Sequence, residues 1–263
     1  MTRDELVAAV TAKAEGDARV LALFLSGSLG AGSGDVWSDA DLVVAVAPEE
    51  HAGFVAEARR WAEVTPLVMW KPPHPGLPLF TALTEGWVRF DVTVTVPGRL
   101  TGARDRWRAL VDRAGLFERL PETLPPKPPE AAQVEGLVVE FIRMLGLLPV
   151  GVGRGEYAVG VTGVGLMRQQ VIQLMLMELD LPQPPGALHL SRLLPPKAMA
   201  EVEALPCPAP TREGVIEATR ACAAAFLPRA RRLSERVGAP WPEAMERAAR
   251  LHLERTLGFR WPA

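Results

Sequence analysis

Residues 25–44 read LSGSLGAGSGDVWSDADLVV, a glycine- and serine-rich segment that joins two apolar runs. The first run covers residues 19–25, and the second covers residues 41–46. Short apolar runs that end at glycine and serine clusters are typical of strands. The segment therefore predicts a strand that feeds a glycine-rich loop, with a second strand directly after the loop.

Three carboxylates of this region can converge. Asp39 and Asp41 stand at the start of the second strand, and residues two apart in a strand project from the same face. Asp91 lies within residues 88–96, where alternating apolar and polar residues predict the clearest strand of the sequence. Pairing of these two strands would bring Asp91 alongside the other two carboxylates. Magnesium prefers such oxygen ligands, and a bound cation would relieve their mutual repulsion.

Gly27 and Ser28, at the end of the first strand, add the groups that a phosphate needs. Glycine lets backbone approach a phosphate closely, and the serine hydroxyl and nearby amides can donate hydrogen bonds. Each motif alone is common in ordinary turns and solvated strand ends. Their combination predicts a site for a metal-bound polyphosphate.

The remaining patterns predict an α+β fold, with a mixed sheet and flanking helices followed by an all-helical region. Five prolines within residues 121–129 predict an extended linker between a domain at 1–120 and a domain at 130–263. The elements predicted for the first domain are a helix over 3–15 capped by Thr2 and Glu5, a helix after Pro48, strands at 64–70 and about 109–111, and a proline-rich turn through His74. The helices predicted for the second domain cover about 130–147, 163–180, 189–203, 211–236 and 241–257, with Gly160–Gly165 as a turn.

Composition excludes several classes of function. The 29 Lys and Arg against 31 Asp and Glu give a net charge of −2, which argues against stable binding of nucleic acid by bulk phosphate neutralisation. The two cysteines, Cys207 and Cys222, match no metal motif and are expected to be reduced thiols. The apolar stretch from Val134 to Val150 is interrupted by charges, and the N-terminus does not resemble a secretory signal. We therefore expect a cytoplasmic protein without a membrane span.

Residues 25–44, together with Asp91 in RFDVT, resemble the signature of the polymerase-β-type nucleotidyltransferase superfamily, in which a Gly-Ser pair precedes an Asp-any-Asp pair. The two-domain layout is similar to the small-molecule branch of that superfamily, the aminoglycoside (streptomycin-type) adenylyltransferases and lincosamide nucleotidyltransferases. The resemblance is specific over residues 20–96 and general beyond them. Leu29 and Ala31 stand where many relatives carry a basic residue, so the resemblance identifies no cation for the triphosphate.

The resemblance implies a nucleotidyltransferase catalytic domain at 1–120 and a helical acceptor-binding domain at 130–263. It implies transfer of a nucleoside monophosphate from a nucleoside triphosphate, with ATP as the first expectation, to a hydroxyl of a small molecule such as an antibiotic, with release of pyrophosphate. Asp39 and Asp41 would hold one Mg²⁺ and share a second with Asp91, which would also position or deprotonate the acceptor hydroxyl. Gly27 and Ser28 would restrain the leaving phosphates.

Some relatives take a catalytic base from the helical domain. Glu140 and Glu156 are the candidates here, and we favour Glu156 because it follows a glycine-rich break. Two alternatives stay open: a weak or inactive nucleotide-binding regulatory module of the same fold, and nucleotidylation of a protein acceptor. The sequence is compatible with a monomer or a homodimer.

Overall fold

The computed structural model describes residues 1–72, 77–182 and 189–261, and the predicted turn through His74 lies outside them. The chain forms two compact units, Met1–Leu124 and Pro125–Ala263. The first contains the sheet and the second is helical, so the predicted α+β class is confirmed. The boundary between the units falls within the proline-rich segment 121–129.

A six-stranded mixed sheet forms the centre of the first unit. Its strands are β1 (Val20–Ser26), β2 (Ala40–Val46), β3 (Leu67–Lys71), β4 (Leu79–Thr84), β5 (Arg89–Thr95) and β6 (Arg108–Asp112). Its α-helices are α1 (Arg3–Gly16), α2 (Gly27–Gly30) and α3 (His51–Ala62), and short 3₁₀ helices cover Pro97–Arg99 and Phe117–Arg119. The strand order is β3-β4-β5-β2-β1-β6, in which β2 and β5 run parallel and every other neighbouring pair is antiparallel.

Local sequence explains how α1 and the sheet form. The predicted capping box is present, because the Thr2 hydroxyl accepts from the Glu5 amide and the Glu5 carboxylate accepts from the Thr2 amide. Helices α1 and α3 cover one face of the sheet with apolar side chains that interlock with alternate residues of the central strands. This buried cluster includes Leu6, Val10, Phe54, Trp61, Leu42, Val44, Phe90, Val92 and Val94. Alternation then places the polar residues of β2 and β5 on the opposite face.

The register of the central strands aligns the site residues. Asp41 of β2 pairs with Ser26 of β1 on one side and with Asp91 of β5 on the other. Residues that lie opposite each other in a ladder point to the same face. The serine at the end of β1 and the carboxylates of β2 and β5 therefore form one row across the sheet.

The second unit is a set of packed helices. They are α4 (Ala131–Gly153), α5 (Tyr157–Met177), α6 (Leu190–Leu193), α7 (Pro196–Glu203), α8 (Arg212–Val237) and α9 (Glu243–Leu257). Phe141 of α4 and Phe226 of α8 stack in the core with ring centroids 3.7 Å apart, and both are fully buried. Burial of aromatic pairs of this kind is a main source of stability in such a bundle.

Helix α4 corrects one expectation from the sequence. Among the described residues it is the one helix long and apolar enough to cross a membrane by length and composition, although a core helix passes the same test. The sequence predicted that this helix ends at about residue 147, and that bound was wrong because α4 continues through Pro149 to Gly153. Its residues Val138, Phe141 and Leu145 are fully buried in the helical core, so α4 contributes to the packing of the second unit.

Three further expectations in the first unit and the α6–α7 region differ from the structure. Strand β4 was not predicted, because its sequence LFTALT lacks a clear alternation and follows a proline-rich segment. The predicted glycine-rich loop contains one helical turn, α2. The single helix predicted over 189–203 is two helices, because Pro195 and Pro196 lack amide donors and Pro196 starts α7.

Gly160–Gly165 lies inside α5 and does not form the predicted turn. A Cβ on Gly160 would lie 2.8 Å from a methyl group of Val215 in α8, so glycine is needed here for close packing of the two helices. Helix α5 accordingly begins at Tyr157, six residues before the predicted start.

Candidate functional site

The carboxylates of Asp39, Asp41 and Asp91 meet at one end of the sheet. Asp39 directly precedes β2, Asp41 lies within β2, and Asp91 lies within β5. One oxygen from each carboxylate lies within 4.8 Å of one from each of the others. The parallel pairing of β2 with β5 causes this convergence, because it sets Asp41 directly opposite Asp91. We refer to these three residues as the acid cluster.

The backbone of Gly27 lies directly against the Asp41 carboxylate of the acid cluster. Its φ is +60°, in the left-handed region that favours glycine. A Cβ at this position would lie 1.9 Å from Oδ2 of Asp41, far inside any real contact distance. The Asp41 carboxylate therefore rests against the bare Cα of Gly27, and the glycine of the motif is required by the position of the second carboxylate.

The segments on both sides of the acid cluster are held by hydrogen bonds. The carbonyl of Ser28 accepts from the Ser33 amide at 2.9 Å, and the carbonyl of Gly27 accepts from Ala31 at 3.1 Å. Before β2, Arg3 donates to the carbonyls of Asp35 and Ser38, at 2.6 and 3.0 Å. The segment after β1 is thus ordered by its own hydrogen bonds, and the segment before β2 is attached to α1.

Electrostatic strain is concentrated on Asp41. Burial, with the nearby charges of Asp39 and Asp91, raises the pKa of Asp41 from 3.8 to about 6. One carboxylate oxygen of Asp91, Oδ1, is buried without a hydrogen-bond partner among the described residues. Buried carboxylate oxygens that repel one another and lack donors are the environment that a divalent cation stabilises.

Arg89 supplies a cation at the acid cluster. Its Nη2 lies 3.0 Å from Oδ2 of Asp39 and 3.6 Å from Oδ2 of Asp91. The sequence prediction did not include Arg89 in the site. The sequence did contain a signal for Arg89: it lies two residues before Asp91 in the same strand, and residues two apart in a strand project from the same face.

The donor set fits magnesium. The carboxylates of Asp39, Asp41 and Asp91 offer hard oxygen ligands within 4.8 Å of one another, the ligand type that magnesium prefers. Asp39, Asp41 and Asp91 would hold the metal, and the unpartnered oxygen of Asp91 is the clearest candidate ligand. When bound, magnesium polarises phosphoryl oxygens and neutralises charge as a leaving group departs.

The two base candidates of the helical unit have different surroundings. Glu140 lies in the middle of α4, and both of its oxygens accept from Arg143 at 2.6 Å. These bonds lower the pKa of the Glu140 carboxyl, which makes it a poorer proton acceptor. Glu156 is exposed at the N-cap of α5. The role of Glu156 stays a prediction, because it rests on the resemblance alone.

Neither a family model nor a curated protein matches this chain. Among solved structures, the chain is similar to an aminoglycoside 6-adenyltransferase from Bacillus subtilis, with 15% sequence identity and a TM-score of 0.43. The match covers 96% of this chain and 97% of the other. Similarity at this level does not assign a function, so a functional proposal has to stand on the acid cluster.

Proposed function

We propose that this protein is a nucleotidyltransferase that transfers a nucleoside monophosphate from a magnesium-bound nucleoside triphosphate to a hydroxyl of a small molecule and releases pyrophosphate. The observation that carries the proposal is the convergence of Asp39, Asp41 and Asp91 within 4.8 Å. Two carboxylates alone on a strand are common at solvated protein surfaces and would not indicate a binding site. The convergence of three carboxylates, one of which packs against Gly27, supports a site for a divalent cation and the polyphosphate that it would bind.

The residues of the chain divide the work of this reaction. Asp39, Asp41 and Asp91 would hold the metal, which would supply charge neutralisation and orientation for the triphosphate. Gly27 leaves room for the Asp41 carboxylate. The Ser28 hydroxyl is proposed to donate to a phosphate oxygen. Asp91 is also proposed to accept or orient the proton of the acceptor hydroxyl, because its carboxylate lies beside those of Asp39 and Asp41.

The acceptor is proposed to be a small polyhydroxylated molecule of the aminoglycoside or lincosamide kind. A net charge of −2 disfavours RNA as the acceptor, since RNA binding depends on neutralising phosphates. Glu156 of the helical unit is proposed as a second proton acceptor. ATP is the first candidate for the nucleotide, and antibiotic resistance is the physiological role that an antibiotic acceptor would give.

A pyrophosphate-release screen tests the proposal. Each of the four nucleoside triphosphates is incubated with magnesium and a panel of aminoglycosides, lincosamides and other polyols. We expect release with at least one pair, and we expect it to disappear in Asp39→Asn and Asp41→Asn. Asp105→Asn is the matched control, because Asp105 is an exposed carboxylate of the same unit outside the acid cluster.

Two results would contradict the proposal. Equal binding of magnesium triphosphate by the wild type and the Asp39→Asn, Asp41→Asn double variant would remove the site. Binding by the wild type without pyrophosphate release for any acceptor would favour the regulatory module over the enzyme.

A further inference from the structure

The guanidinium of Arg89 contacts two of the three carboxylates that are proposed to bind metal. Its Nη2 lies 3.0 Å from Asp39 Oδ2 and 3.6 Å from Asp91 Oδ2. Within the described part of the chain, the ion pairs of Asp39 and Asp91 are these two contacts with Arg89. One cation therefore balances part of the charge of the acid cluster.

A divalent ion and this guanidinium compete for the same carboxylates. A metal held by Asp39 and Asp91 would lie within a few ångströms of Arg89, and like charges at such distances repel. The guanidinium carries one charge and is weakly hydrated, whereas the metal carries two and binds oxygen directly. The metal is thus expected to displace Arg89 from the cluster.

The displaced guanidinium has a natural partner in the phosphates. The side chain of Arg89 is 52% exposed, so its head can move without disturbing the core. Arginine presents a rigid fork of N–H donors that matches phosphate oxygens in pairs. The positive charge of two divalent ions would equal the negative charge of a fully ionised nucleoside triphosphate. The three carboxylates would then give the bound complex a net negative charge, which favours one more cation.

We propose that Arg89 is the cationic ligand of the polyphosphate, and that it moves from the carboxylates to the phosphates when metal and nucleotide bind. This role rests on the proposed function. It supplies the cation that Leu29 and Ala31 do not provide after the Gly-Ser pair. It also gives Arg89 opposite effects on two ligands: removing it strengthens binding of a bare metal ion and weakens binding of a metal-bound polyphosphate.

Isothermal titration of the full chain measures both effects. The probes are Mn²⁺ alone and magnesium-bound inorganic tripolyphosphate, which carries no base. For Arg89→Ala we expect Mn²⁺ to bind about threefold tighter or more, because a competing cation is gone. We expect tripolyphosphate to bind about 10- to 100-fold weaker, the loss typical of charge-assisted hydrogen bonds.

Two further variants separate charge from geometry and from general destabilisation. Arg89→Lys keeps the charge and loses the fork, so Mn²⁺ binding should match the wild type while tripolyphosphate binding falls between wild type and Arg89→Ala. Arg104→Ala breaks an ion pair with Glu118 elsewhere in the same unit and should change neither affinity.

The outcomes are distinct. Weaker binding of both probes by Arg89→Ala would mean that Arg89 only maintains the cluster, and unchanged binding of both would mean that it touches neither ligand; either result overturns the proposal. Absence of tripolyphosphate binding in the wild type would overturn the proposed function and this role together. That failure is visible before any variant is measured.

Discussion

Substitution of Gly27 by alanine should disable the acid cluster, and Gly32→Ala is its matched control. Both glycines lie in the segment between β1 and β2 and have positive φ, +60° for Gly27 and +69° for Gly32. A Cβ on Gly27 would lie 1.9 Å from Asp41 Oδ2, whereas a Cβ on Gly32 would have no heavy atom within 4 Å. The two substitutions therefore share the backbone strain and differ in the collision with Asp41.

The backbone strain and the collision with Asp41 set the expected losses of stability, metal affinity and turnover. Left-handed backbone costs a residue with a Cβ about 1–2 kcal/mol, so both variants should lose roughly that much free energy of unfolding. In Gly27→Ala the Asp41 carboxylate must also retreat by about 1 Å to reach a tolerable contact. Displacement of a reacting group by about 1 Å typically costs about 100-fold in rate, and magnesium tolerates little departure from its oxygen distance of about 2.1 Å.

Urea unfolding, Mn²⁺ titration and pyrophosphate release measure the two variants side by side. We expect similar stability losses, but metal affinity and turnover about 100-fold lower in Gly27→Ala than in Gly32→Ala. Equal metal affinity and equal turnover in the two variants would refute the conclusion that Asp41 must rest against a bare Cα.

Three other predictions concern titration, thiols and the second proton acceptor. The pKa of Asp41 in the folded state, about 6, lies above its ordinary value of 3.8, so the metal-free protein should lose stability as pH rises through this window. In urea unfolding of the metal-free protein, Asp41→Asn should therefore raise the free energy of unfolding by about 2–3 kcal/mol at pH 8 and leave it unchanged below about pH 4. A gain in the free energy of unfolding that does not depend on pH would contradict this prediction. Cys207 is exposed, whereas burial raises the pKa of the Cys222 thiol to about 11. A thiol reagent should therefore label one cysteine in the native protein and two in denaturant. Rapid labelling of both cysteines in the native state would be inconsistent with burial of Cys222 in the helical core. Glu156→Gln should lower the rate of pyrophosphate release about 100-fold or more with triphosphate affinity unchanged, while Glu140→Gln should have a small effect; the reverse order would exchange their roles.

The parts of the fold with strong local signals were predictable from the sequence. The capping box of Thr2 and Glu5 defined the start of α1, and the alternation around Asp91 defined β5. The acid cluster also followed from local rules, because Asp39 and Asp41 share a strand face. The parallel pairing of β2 with β5 was the additional condition, and the structure meets it with Asp41 opposite Asp91.

The features that escaped prediction depend on long-range contacts. Gly160 suggested a turn, but its place inside α5 is explained by the approach of Val215 from another helix. Pro149 suggested a helix end, yet α4 continues through it with buried residues on both sides. Arg89 lies two residues from Asp91, but its ion pair with Asp39 joins residues that are fifty apart in sequence, so no local pattern specifies that contact.

Anomalous diffraction from crystals grown with Mn²⁺ and a non-hydrolysable nucleoside triphosphate tests directly whether the acid cluster holds divalent cations. We expect anomalous peaks within coordination distance of carboxylate oxygens of Asp39, Asp41 and Asp91, with phosphate oxygens bound to the same ions. Ions and phosphates bound elsewhere, with Asp39 and Asp91 still paired to Arg89, would contradict this expectation.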